Sequence, residues 1–276
     1  GTKFAIGLHK YKLQYNYSNY RQHVKQNVYQ YYSYNGEDNT IWRYGELGFD
    51  YFRGKSVSII YDLDLRKRGY VMNMLPGNGL KIHGNIAYEW NQFMDGFSVS
   101  EKHSTFGANF VPHNTFRIKA HTEKYFTLNR AKKIVASISA LGGGLSNPEV
   151  DDFFHFFGGG LPGIKGYTFY ESTLTGPYYF IGTAAMRFPL FLERNYPMAQ
   201  FNFQNLSLGG IFQFGGAVNE SFAEFADNYK LSAGLECRLQ GFSFYSYPTA
   251  IAYEYHQPIN DSNKKGKHYF TFLFDY

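Results

Sequence analysis

The sequence predicts an all-β fold: an antiparallel transmembrane β-barrel of about 12 strands, or that many strands of a ~16-stranded wall. Three observations lead there. Aromatic residues make up 20 % of the 276-residue chain, with 26 Tyr and 28 Phe. Mean hydropathy is nonetheless −0.40, and no stretch approaches the roughly 20 continuous apolar residues of a membrane-spanning helix. Segment after segment alternates apolar and polar side chains with period two, the period of a strand. A soluble sandwich also alternates, but it buries its apolar face and does not need so many Tyr and Phe. A membrane barrel turns one face to lipid and the other to a polar lumen, which joins high aromatic content to a polar average.

The elements follow in order. The first 40 residues are Tyr-rich and irregular, with room for two or three strands, and another strand is expected near 43–53. Val57, Ile59, Tyr61, Leu63 and Leu65 alternate with Ser58, Ile60, Asp62, Asp64 and Arg66. Leu80, Ile82, Gly84, Ile86, Tyr88 and Trp90 oppose Lys81, His83, Asn85, Ala87 and Glu89. In 105–126 one parity (Phe106, Ala108, Phe110, Phe116, Ile118) persists across Pro112, which predicts a single long strand, kinked or bulged at its rim. Strands near 133–143, 177–190 and 201–216 come next. Leu231 to Leu239 then opposes Ser232 to Gln240, and Ile251, Tyr253 and Tyr255 oppose Ala252, Glu254 and His256. Phe270, Phe272, Phe274 and Tyr276 close the chain on one parity. Turn-rich segments at 66–69, 76–79, 129–131 and 260–263 separate these runs. Parity alone does not say which face is inside. Trp90 and Tyr255, near strand ends, fit interfacial girdles.

The net charge of +5 comes from basic residues scattered among acidic ones, which argues against a nucleic-acid partner. The single cysteine, Cys237, excludes an internal disulfide and has lipid-facing parity. The chain opens Gly-Thr with no signal core, as expected of a mature exported chain or a piece of a longer one. There is no G-x-S-x-G elbow and no P-loop, and the nine His show no metal-ligand spacing. His83, His121 and His256 read as lumen residues, and Asp62 and Asp64, two carboxylates on one lumen face, as partners for Arg66 in preference to a Ca²⁺ site. No catalytic set, metal or cofactor is expected.

The segment Phe157-Gly158-Gly159-Gly160-Leu161-Pro162-Gly163-Ile164-Lys165-Gly166-Tyr167 resembles the inward-folded loop of the BamA/TamA superfamily of outer-membrane assembly and translocation barrels. That loop carries a Gly-Gly pair followed by V/I-R-G-F/Y. Ala184 to Leu190 (AAMRFPL) resembles the family's next strand, and Ile211 to Gly215 (IFQFG) the one after it. Tyr61-Asp62 with Arg68-Gly69-Tyr70 looks like the family's periplasmic turn, and Phe270 to Tyr276 like its terminal β-signal. The order and spacing of these five pieces span residues 56–276.

The resemblance implies a barrel domain over 1–276, with poorly defined N-terminal strands in 1–53 and an inward loop in 145–176. The loop motif comprises Gly158, Gly159, Gly160, Ile164, Lys165, Gly166 and Tyr167. Ala185, Arg187, Gln213, Glu236, Arg238 and Glu254 form the lumen wall facing it. In the family the loop Arg reaches acidic wall residues; here those positions are Lys165, Ala185 and Gln213. The expectation is therefore a loop that still folds inward, held by its glycines and Tyr167 rather than by an ion pair. Glu236, Arg238 and Glu254 are expected to form a charge network on the wall.

The function implied is insertion or translocation of proteins at the outer membrane of a Gram-negative type cell, without covalent chemistry. Partners would be outer-membrane lipids, client outer-membrane proteins and envelope-complex subunits. The seam at Phe270, Phe272, Phe274 and Tyr276 would template a client strand, and periplasmic client-binding domains would precede the barrel. Since such barrels are also found fused to enzymes, a membrane anchor or pore for a separate N-terminal enzymatic domain is the alternative, with a structural subunit of an envelope complex beside it.

Overall fold

The computed structural model describes residues 1–66, 77–100, 102, 105–219, 224–244, 247–261 and 263–274, apart from the side chains of 26–32, 34, 38–44, 100, 105–106, 226–227 and 273–274. The strands are β1 (Thr2–Ile6), β2 (His9–Tyr34), β3 (Glu37–Asp64), β4 (Gly79–Ser100), β5 (Thr105–Asn129), β6 (Ile134–Leu145), β7 (Phe156–Phe157), β8 (Thr175–Gly176), β9 (Tyr178–Phe191), β10 (Tyr196–Met198), β11 (Phe201–Val218), β12 (Lys230–Ser243), β13 (Tyr247–Pro258) and β14 (Lys267–Phe274). One 12-stranded antiparallel sheet runs β1-β2-β3-β4-β5-β6-β9-β11-β12-β13-β14, with β10 paired to β11 beside this path. The all-β antiparallel expectation therefore holds. β7 and β8 form a separate two-stranded ladder between β6 and β9.

Several boundaries differ from the sequence reading. The segments 43–53 and 57–65, expected as two strands, are one 28-residue strand, β3. β4 runs ten residues past Trp90, to Ser100. The run across Pro112 is a single 25-residue strand, as expected. The Arg68-Gly69-Tyr70 piece lies outside the described residues, and so does Tyr276.

The chain divides into two compact units. One comprises 1–14, 58–87 and 116–276, the other 15–57 and 88–115. The division cuts across β2 to β5, not at a linker. Within the second unit, Tyr20 stacks on Phe52 with ring centroids 5.1 Å apart, and Phe49 meets Phe97 edge-on at 5.0 Å. Asp50 receives Arg53 at 3.0 Å and Asn19 at 3.3 Å. These groups lower the Asp50 carboxyl below its ordinary range, the Arg53 hydrogen bond most.

Within the first unit the two faces of the sheet have opposite character. Leu235 is 69 % exposed, while its neighbour Glu236 is 2 % exposed. Ile59, Ile118, Met186, Phe212, Tyr253 and Phe270 are exposed, while Ser58, Ser137, Gln213, Ser232, Gln240, Glu254 and His256 are buried. The covered face carries most of the buried polar side chains, with Ile181, Ala185 and Ile211 among them, and the uncovered face is largely apolar, the inverse of a soluble protein's pattern. Leu63, next to the end of β3, departs from it at 9 % exposure. On the polar face Asp64 takes both ends of the Arg66 fork at 2.8 and 2.7 Å, as expected, while Asp62 meets His83 at 2.6 Å, a pairing not expected from sequence.

A bulge between Phe203 and Asn205 shifts the β11–β12 register opposite Gly241. The bulged backbone backs onto that glycine: a Cβ there would lie 2.0 Å from the Asn202 carbonyl oxygen. Gly210, on the same strand pair, has open space around its Cβ position. Gly241→Ala should therefore destabilise the protein by about 1–3 kcal/mol, since the bulge must shift. Gly210→Ala should be near neutral. Urea unfolding of both variants in the same detergent tests this, and equal effects would show that the bulge does not depend on Gly241.

Candidate functional site

The site is built on the connection between β6 and β9. Leu145 donates its N–H to the Pro177 carbonyl at 3.0 Å, which closes the neck. β7 and β8 pair just beyond it. Arg117, on the polar parity of β5, donates to the Phe154 carbonyl at 2.7 Å and lies over the Phe156 ring at 4.9 Å. The Phe156 ring stacks on Tyr179 at 4.5 Å. The start of the loop is thus fixed to the polar face of the sheet.

The glycines let the tip fold back on itself. Gly158 donates to the Leu174 carbonyl at 2.7 Å, and Ile164 donates to the Gly158 carbonyl at 2.8 Å. A Cβ on Gly159 would fall 2.0 Å from the Thr168 carbonyl oxygen, and one on Gly163 would fall 2.1 Å from that of Gly158. Gly160 and Gly166 take φ of 76° and 96°, a region that favours glycine. Ile164 is fully buried at this turn.

Three wall residues then receive the tip. Gln213 on β11 accepts the Lys165 N–H at 2.9 Å through Oε1, and its Nε2 donates to the Gly163 carbonyl and to Thr183 Oγ1, each at 3.2 Å. A carboxylate in its place could not donate to Gly163. The Lys165 ammonium pairs with Glu254 on β13. Glu254 also accepts from His256 Nε2 at 2.9 Å, leaving His256 Nδ1 to accept from the Ser232 hydroxyl at 3.5 Å. On β14 the Tyr269 hydroxyl accepts the Gly166 N–H at 2.8 Å.

The expectation that the loop docks without an ion pair is thus corrected. Its acidic partner is present, but on β13 rather than on β9 or β11. Ala185 is buried and apolar, opposite Ile211 across one strand pair and Ser137 across the other. The expected wall network of Glu236, Arg238 and Glu254 forms only in part: Arg238 pairs with Glu236, but the third member is Arg187, which also pairs with Glu236 and reaches Ser137 through Nη1 at 3.4 Å, while Glu254 pairs with Lys165 and His256. This cluster is self-contained, while Gln213 and Glu254 serve the loop. Phe270 and Phe272 lie exposed on the opposite face, at the β14 end of the sheet order.

A second set of contacts, not foreseen from sequence, clasps Tyr167. Its hydroxyl is 3.2 Å from the Leu231 carbonyl and 3.1 Å from Asn260 Oδ1. Asn260 also accepts from Leu231 N–H at 2.8 Å and donates to the Tyr229 carbonyl at 2.7 Å. Lys264 sits 5.1 Å over the Tyr167 ring and pairs with Glu171 at 2.6 Å. Burial pushes the Tyr167 phenol up to about 12. Burial also raises the Glu171 carboxyl, but hydrogen bonds from Lys264 and Thr168 outweigh this and hold it below its ordinary value. Desolvation pulls the Lys264 ammonium down, and Glu171 and Asp261 more than reverse that. Asn260 was hidden in a turn-rich run. Tyr269 was legible by parity, as an aromatic on the polar side of the last strand.

No family model and no curated protein matches the chain. Among the described residues no group of three or more His, Cys, Asp or Glu could hold a metal ion.

Two outcomes follow. Lys165→Met and Glu254→Gln should each cost about 3–5 kcal/mol, because each leaves a covered group without its partner. The double variant should recover a large part of that in urea unfolding, and strictly additive losses would show that the pair is not coupled. The clasp should also have a pH window. Stability from the lowered Glu171 group is complete above about pH 4.3 and is lost as pH falls through its folded value. Stability from the raised Lys264 group is complete below about pH 10.4 and is lost as pH rises beyond it. Amide-exchange protection of 163–171 should fall at both extremes, and Glu171→Gln should flatten the acid limb.

Proposed function

We propose that this chain is the membrane-spanning β-barrel of an outer-membrane protein of the BamA/TamA type, assisting insertion or translocation of polypeptides. The observation that carries the membrane part is the inverted polarity of the sheet, with Leu235 exposed beside buried Glu236. A wall of this kind is stable only where lipid covers the apolar face. Support for the family type comes from the glycine-hinged loop docked on the polar face through Lys165. The work would be done at the β14 edge. That strand ends the sheet order, exposes Phe270 and Phe272, and can offer backbone groups to an incoming strand.

A second reading, a static anchor or pore for a separate enzymatic domain, is favoured by how firmly the loop is held. Gln213, Glu254, Tyr269 and Asn260 all bind it, as suits a fixed plug.

The native Cys237 gives a direct test. A nitroxide attached there in reconstituted membranes should be more accessible to oxygen than to a polar nickel chelate, and one at Ser232→Cys (with Cys237→Ser) should not. The reverse pattern would remove the membrane placement. The same proteoliposomes should speed the folding of a urea-unfolded outer-membrane barrel over empty liposomes. No acceleration, with the nitroxide pattern intact, would leave the anchor reading in its place.

A further inference from the structure

At the end of the sheet away from the docked loop, where β9, β10 and β11 connect, the polar face holds a cavity of about 160 Å³. Three cationic side chains line it: Arg130, Lys133 and Arg187. Lys133 is answered by Glu193 at 2.9 Å. Arg187 shares the single carboxylate of Glu236 with Arg238. Arg130 has no carboxylate partner among the described residues. The three lining cations therefore meet two carboxylates, one of which is shared with Arg238, and the balance at the cavity is positive.

Gln240, 3 % exposed, lines the same cavity, and its Nε2 has no acceptor among the described residues. A buried amide donor without an acceptor costs about 1–3 kcal/mol, so its persistence calls for an explanation. A metal is the wrong answer, because every charged side chain that lines the cavity is a cation. An anion answers both features: it accepts from Gln240 and offsets the surplus charge. Size narrows the class. The space is several times the ~30 Å³ share of one water and well below the ~300 Å³ at which sites for drug-sized ligands begin. Val135 and Leu192 add apolar lining.

We infer that this cavity is a binding site for a small oxyanion, a carboxylate or a phosphate group. The site does not depend on the proposed function, because it is defined by the folded sheet alone. Its test therefore needs neither bilayer nor client. The full chain, folded in detergent, is titrated calorimetrically with sodium butyrate and, separately, with inorganic phosphate at constant ionic strength. Saturable binding of at least one anion is expected, and the anion that binds identifies the source. Gln240→Met keeps the volume and removes the donor; Arg130→Gln alters an exposed turn position without threatening the fold. Each should weaken binding about tenfold. Absence of saturable binding up to roughly 0.1 M of either anion, or binding that both variants leave unchanged, would overturn the assignment.

Discussion

Two carboxylates, Glu236 and Glu254, are buried on one face of the sheet, and the way each is neutralised organises everything around it. A buried carboxylate without a cation or donors is not a stable arrangement. Glu236 is served by the wall itself, through Arg187 from β9 and Arg238 from its own strand. Glu254 has only His256 from its own strand and takes its cation, Lys165, from the loop. The loop is thus part of the electrostatic structure of the wall. This also accounts for Lys where the resembled family carries Arg. The backbone beside it is already held by Gln213, and a flexible stem bearing a point charge reaches one carboxylate oxygen without a planar fork.

The features set by period two were legible in the sequence, and those set by long-range pairing were not. Leu235 and Glu236 are adjacent letters of opposite character, and alternation alone assigned them to opposite faces. Exposure then showed which face was covered, which parity cannot do. The glycines of 158–166 signalled a sharp fold-back, because positive φ and close backbone approach leave a mark in the residue type. The Lys165–Glu254 pair spans 89 positions, and nothing local marks Glu254 as its partner. Matching loop to wall through a family's acidic positions pointed to Ala185 and Gln213. The acid stands on β13, where register, not sequence neighbourhood, brings it within reach.

Strand length was also underestimated, for a physical reason. Crossing a hydrocarbon core takes about 9–11 residues of tilted strand. β6, β12 and β13, at 12, 14 and 12 residues, are close to that length. β2 and β3, at 26 and 28 residues, are far longer. Most of their length, 15–34 and 37–57, lies in the second compact unit, and its Tyr-rich composition does not sort cleanly by parity. Tyr has an apolar ring and a polar tip, so it can stand on either face, and the pattern that located the other strands loses contrast there.

The loop contacts bear on how the wall could open. Gln213 is on β11, Glu254 on β13 and Tyr269 on β14, while Asn260 and Lys264 lie in the β13–β14 connection. One short segment, 163–171, which also reaches the Leu231 carbonyl on β12, therefore stitches together four strands and a turn. Drawing β14 away from β13 would break the Gly166–Tyr269 hydrogen bond together with the backbone ladder between those strands. Displacing the β13–β14 turn would pull Asn260 from Tyr167 and Lys264 from Glu171. Release of the β14 edge and release of the loop are thus energetically coupled through the same groups. A strand that adds on the side of β14 away from β13 leaves these contacts in place, whereas one that inserts between β13 and β14 must break them.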